Sequence, residues 1–166
     1  MNNNTGMDRF IYIFYIGLIV FFLYRLFKEM KNKKLLEGKQ SAFNKEITIF
    51  EKLLIGVLLA SGAAYLIMGI QAKKNDAIIM AIIMLVLSVV FAIAQNNKLY
   101  IAENGMVINS NFYTYKELKK WGFDKEKNDL VLQVKKQNQA SNEFTKVRKE
   151  DINEINTLIR RYKLNK

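Results

Sequence analysis

Hydrophobic positions form three long blocks in the first half of the chain and short alternating runs in the second. The blocks are FIYIFYIGLIVFFLYRLF (10–27), LLIGVLLASGAAYLIMGI (53–70) and AIIMAIIMLVLSVVFAIA (77–94), each of 18 residues. As helix at about 1.5 Å per residue, each spans roughly 27 Å, close to the ~30 Å hydrocarbon layer of a bilayer. The second and third carry no charged residue. The first carries only Arg25, near its end, where a long side chain reaches the headgroups. Three spans are therefore predicted, because the polar remainder is too small to cover three such helices in a soluble core. The first block begins where a signal peptide would. In its leader Asp8 offsets Arg9, and no small-x-small cleavage site follows, so a retained span is expected.

Alternation takes over near residue 97. KLYIA and GMVIN flank EN, so Asn104 and Gly105 are predicted as a turn at positive φ between antiparallel strands. NSN reads as a second turn and FYTY as a third extended run. DLVLQVK places Leu130, Leu132 and Val134 on one face, and a polar turn KQNQASN leads to a last strand, EFTKVR. DINEINTLIRRY reads as a helix capped by Asp151 with Glu154 three residues on. Its apolar stripe is Ile152, Ile155, Leu158, Ile159 and Tyr162. The predicted fold class is an integral membrane α-helical protein with three transmembrane helices, followed by a small cytoplasmic α+β domain whose antiparallel sheet is closed by the C-terminal helix. The expected membrane region is 1–94, with a basic cytoplasmic loop at 28–52, and the expected domain is 95–166.

Charge assigns sides to these pieces. The net charge is +11, and 15 of the 26 Lys and Arg residues follow residue 95. The 28–52 loop and its edges add Arg25, Lys28, Lys31, Lys33, Lys34, Lys39, Lys45 and Lys52. Arg9 in the N-terminal tail, and Lys73 and Lys74 in the short QAKKND connection, count against them. Positive charge concentrates in cytoplasmic segments, so the N-terminus is expected outside and the C-terminal domain inside a bacterial plasma membrane. The same charge is expected to meet anionic inner-leaflet lipid in a generic way, with Lys33 and Lys34 as contacts, and needs no nucleic-acid partner.

Cysteine and histidine are absent. That excludes disulfides, Cys/His zinc sites, thiolate nucleophiles and imidazole bases. No Walker loop, G-x-S-x-G or paired-carboxylate pattern occurs, so no catalytic residue, metal or cofactor is assigned and a non-enzymatic protein is expected. Within the spans, Gly56, Ala60 and Ala64 recur at every fourth residue of the second, and Ala77 and Ala81 at the same spacing in the third. Small residues so spaced let helices approach closely in lipid, which predicts an antiparallel hairpin of these two spans or a face for another membrane protein.

The stretch LYIAENGMVINSNFYTYKELKKWGF contains the single tryptophan. Tyr115, Leu118 and Trp121 occur three apart, on one side of a helical turn or wrapped around a strand exit. Lys116, Lys119 and Lys120 are displaced toward solvent or headgroups. Trp121 is then either a core residue with a basic rim or, with these lysines, a lipid or partner contact. With DLVLQVKK and a terminal amphipathic helix, the stretch resembles the C-terminal module of small, mostly uncharacterised Gram-positive bacterial membrane proteins. That module is similar to bacterial pleckstrin-homology-like domains. Gly105 matches the turn glycine, Leu118 the apolar position and Trp121 the aromatic after it, while Tyr115 stands where tryptophan is commoner. The resemblance covers about 70 residues and implies a reduced version of the seven-stranded fold.

The expected function is a non-enzymatic membrane protein whose cytoplasmic domain mediates interaction with a membrane or cytoplasmic protein, or docks on the inner leaflet. One alternative is self-immunity or envelope-stress protection against membrane-active peptides, which some proteins with such domains are associated with. The other is an accessory subunit of a transporter.

Overall fold

The computed structural model describes residues 5–124, 126–136 and 139–164. The first four residues of the expected leader, and Gln137 and Asn138 of the expected KQNQASN turn, lie outside the described residues. The helices are α1 (Thr5–Lys33), α2 (Ile49–Gln71), α3 (Asn75–Gln95) and α4 (Ile152–Leu164). The strands are β1 (Gln40–Asn44), β2 (Lys98–Ala102), β3 (Gly105–Ile108), β4 (Asn111–Thr114), β5 (Leu118–Asp124), β6 (Asp129–Lys136) and β7 (Gln139–Lys146). Two compact units result. One combines the chain up to Arg25 with Thr48–Gln95, and the other combines Leu26–Ile47 with the chain from Asn96 onward.

The first unit holds three helices long and apolar enough to cross a membrane, and the chain is a multi-pass membrane protein. The helices expose large apolar side chains such as Phe14, Phe21, Leu53, Ile67, Ile82 and Ile93. Lipid solvates such a surface, and water does not. α2 starts at a capping box that satisfies two orphan donors: Thr48 Oγ1 accepts from the Glu51 backbone N–H (3.1 Å), and the Glu51 carboxylate accepts from the Thr48 N–H (2.7 Å). α2 and α3 do approach through small residues, but not through Gly56, Ala60 and Ala64. Those three are exposed, and a Cβ at Gly56 would meet nothing within 4 Å. The buried glycines are Gly62 and Gly69, where a Cβ would lie 3.0 Å from Leu85 side-chain carbons and 2.9 Å from Ile78 Cγ1. They lie seven residues apart, two turns along one face, and lack even the methyl that holds alanine backbones apart. On α3, Ala81 is fully buried and Ala77 half-buried.

The second unit differs from the expected single sheet closed by the C-terminal helix. Its strands form two separate antiparallel sheets, β1-β2-β3-β4 and β5-β6-β7, and α4 does not close them. The break lies between β4 and β5. There the Glu117 carboxylate accepts from the Thr114 N–H (2.8 Å) and hydroxyl (3.1 Å), and the Glu117 N–H donates to the Thr114 carbonyl (3.1 Å). This turn ends β4, and the chain starts a new meander instead of continuing the first. The α4 stripe is buried as its spacing predicts, with Ile155 and Ile159 fully buried beside partly buried Ile152, Leu158 and Tyr162. These isoleucines share one core with Phe43, Leu99, Ile101, Met106 and Ile108 of the first sheet and Leu118, Leu130, Leu132 and Val134 of the second. A single-turn 3-10 segment, Lys149–Asp151, precedes α4, so Asp151 ends that turn where a cap was expected.

Seven strands are described where a reduced set was expected, because β5 forms at Leu118–Asp124 and the expected 28–52 loop contributes β1. Its β1 pairs antiparallel with all of β2, from Gln40 opposite Ala102 to Asn44 opposite Lys98. Phe43 enters the core, and Leu36 covers Ala102 and Val107 on the other face of the same sheet. The β2–β3 turn clamps the preceding segment. Asn104 Nδ2 donates to the Leu35 carbonyl (2.8 Å), while Asn104 Oδ1 and the Glu103 carboxylate accept from the Glu37 and Lys39 N–H groups.

Candidate functional site

β5 carries the expected Lys119, Lys120 and Trp121, and its local irregularity explains how they are displayed. Leu118 pairs with Val134 and Lys120 with Gln133, so Lys119 is an extra residue in a β-bulge. The bulge resets the alternation: Leu118 is fully buried, both lysines are exposed, and Trp121 turns back toward the core. A helical turn here was one of the two expectations, and a strand is what forms.

Trp121 is half-buried, and the structure places it against the core with the two lysines at its rim. One side packs on the core cluster, and Nε1–H donates to Asn156 Oδ1 of α4 at 3.0 Å. The other side lines a cleft of about 460 Å³ with Lys119, Lys120, Phe123, Asn156 and Arg160. Lys119, Lys120 and Arg160 supply three cations to this lining, and among the described residues no carboxylate lines it. Such a surface is suited to a segment whose anionic groups meet the three cations and whose apolar part lies on the aromatic side chains.

The end of the cleft region is fixed by Lys163 of α4. Its ammonium donates to the Tyr115 carbonyl (3.3 Å) and to the Leu118 carbonyl, tying the helix to the entry of β5. Burial, and then the charge of Lys119, hold its pKa below the ordinary lysine value. The Tyr115 hydroxyl donates to the Ala102 carbonyl at 2.7 Å, and burial followed by Tyr162 pushes its pKa well above the usual phenol value.

Other expected contacts lie elsewhere. Lys116 is exposed in the β4–β5 turn and is not among the cleft residues. Lys33, at the end of α1, places its ammonium 4.6 Å from the Tyr100 ring centroid, and Lys34 is exposed in the turn that follows. Asn156 and Arg160 were missed as site residues. A sequence signal for them existed: they are four apart, and each follows a buried isoleucine of the stripe by one position, which puts both at its polar margin.

The region 97–164 matches a protein family described as a domain of unknown function, DUF5673. No curated protein and no solved structure matches the chain.

Proposed function

We propose that this chain is a membrane-anchored, non-enzymatic interaction protein, with its N-terminus outside and its second unit cytoplasmic. In this reading the β5–α4 cleft receives an acidic segment of a protein partner. The observation that carries it is the cleft lining, in which, among the described residues, Lys119, Lys120 and Arg160 stand with Trp121 and Phe123 without a carboxylate. Three spans already hold the unit at the membrane, so lipid docking would add no targeting, whereas a partner site would add recognition. The cytoplasmic assignment is supported by the basic residues of the 28–52 loop and of the chain beyond residue 95. Seven strands followed by a helix support reading this unit as a module of the pleckstrin-homology-like kind.

Crosslinking in native membranes tests the proposal. Gly122 lines the cleft and has open space where a side chain would start, so p-benzoylphenylalanine fits there. Irradiation should yield a defined set of protein adducts that disappears when Lys119, Lys120 and Arg160 are changed to Glu. The same adducts in that variant, or adducts to lipid alone, would reject a protein-binding cleft.

A further inference from the structure

The first unit contains a cavity that the proposed function does not use. Tyr12 of α1 donates its hydroxyl to the Asp76 carbonyl at the start of α3 (2.9 Å), and Phe22 of α1 meets Phe91 of α3 edge-on at 5.1 Å between centroids. On the Tyr12 side of the aromatic contact, α1 stands off from the α2–α3 hairpin and leaves a space of about 910 Å³. Its lining grades from charged to apolar. Arg9, Lys74 and Asp76 are at one end, and Met80 and Met84 continue along α3 with Tyr15 and Tyr65 facing in from the other helices. From Asp76 to Met84 the helix rises about 12 Å, so the gradient runs from the helix ends into the hydrocarbon zone.

We infer that this cavity is a binding site for an anionic phospholipid, with the phosphate headgroup at Arg9 and Lys74 and acyl chain against Met80 and Met84. A polar mouth over an apolar floor matches an amphiphile, and a space of this volume is within the range of ordinary ligand sites. An apolar floor at membrane depth is filled by hydrocarbon and not by water. Among the described residues that line the mouth, Arg9 and Lys74 supply two cations and Asp76 one carboxylate, which favours a negative headgroup over a zwitterionic one. The same balance disfavours a cationic membrane-active peptide. Methionines suit the floor because a flexible thioether side chain adapts to a chain that has no fixed shape.

The test uses the full-length chain in vesicles of equal phosphatidylglycerol and phosphatidylcholine, with a diazirine on the acyl chain of each lipid in turn. Crosslinks are located by mass spectrometry. Labelling around Met80 and Met84 is expected to favour phosphatidylglycerol, and the exposed-site variants R9Q and K74Q should each lower that preference by about fivefold. Met84→Trp, which fills the cavity and keeps both cations, should reduce labelling by both probes. Lys33→Gln, in the other unit, should leave the preference unchanged. Equal labelling by the two lipids, or a preference that survives R9Q with K74Q, overturns the inference. So does protection of this segment by an added Lys/Leu amphipathic peptide that persists in those variants, which would assign the cavity to a peptide.

Discussion

Glu143 of β7 joins the two sheets at the level of single side chains. Its carboxylate accepts from the Tyr113 hydroxyl (2.6 Å) and from Asn109 Nδ2 (3.1 Å), while Asn109 Nδ2 also reaches the Phe144 carbonyl (3.0 Å). Burial first, and then Glu143, push the Tyr113 pKa far above the usual phenol value, as burial does for Tyr115. Both tyrosines therefore keep their protons in the folded state at pH values where the unfolded chain loses them. Their contribution is complete below about pH 10 and declines as pH rises from there toward the folded values. Lys163 acts in the opposite sense, its cost being relieved as pH rises toward the unfolded lysine value, but it is one group against two. Urea midpoints followed by Trp121 fluorescence should fall above about pH 10, and Tyr115→Phe should flatten that decline. A midpoint independent of pH in this range would contradict the burial of these phenols. Gly105 shows how one residue type serves different needs. Positive φ was expected at Asn104 and Gly105, yet it occurs at Asn109 (48°) and Ser110 (65°). Gly105 is instead required by close approach, because a Cβ there would sit 2.5 Å from the Tyr113 carbonyl oxygen.

Among the elements, β1 is the one whose role reverses expectation, and it makes a sharp test. If QSAFN were linker, Phe43→Ala would change nothing. As a core strand residue only 6% exposed, its truncation should cost about 3 kcal/mol. Urea unfolding monitored at Trp121 separates the two outcomes. The strand was hard to read because it is short, has one large apolar residue and is surrounded by Lys and Glu. Its partner β2 is distant in sequence, and only pairing reveals it. The α2–α3 hairpin gives the second element-scale test. Gly69→Ile places a side chain against Ile78 and should lower the thermal midpoint in detergent by several degrees, whereas Gly56→Ile should leave it within about a degree. Equal effects at the two positions would mean that the helices pack through the other face. Both sets put small residues along one helix face, at a spacing of four for Gly56, Ala60 and Ala64 and of seven for Gly62 and Gly69, so the sequence offers two faces and no means of choosing between them.

At the scale of the whole molecule, the family match begins at residue 97 and so excludes β1, although β1 completes the first sheet. The membrane-proximal chain and the matched module are thus one folding problem in this protein. Topology is testable without background labelling, since the chain has no cysteine. With the proposed orientation, Lys73→Cys should react with an impermeant maleimide on intact cells and Lys116→Cys only after permeabilisation. The reverse pattern would invert the orientation and, with it, the proposed cytoplasmic partner. Both positions are exposed, so a failure to react reports the membrane and not burial.

Sequence by itself determined the features that depend on local periodicity. Three 18-residue apolar blocks require spanning helices, alternation at Leu130, Leu132 and Val134 requires a one-sided strand, and the Ile155–Ile159 stripe requires a buried helix face. Even the missed capping box at Thr48 and Glu51 was present as a local T-x-x-E signal. Only tertiary structure decided the rest: the division into two sheets, the recruitment of β1, the choice of Gly62 and Gly69, and the meeting of Trp121 with Asn156 and Arg160. Each depends on residues far apart in the chain, where many pairings satisfy the local pattern equally well. Burial of a shared core and satisfaction of specific hydrogen bonds select one of them.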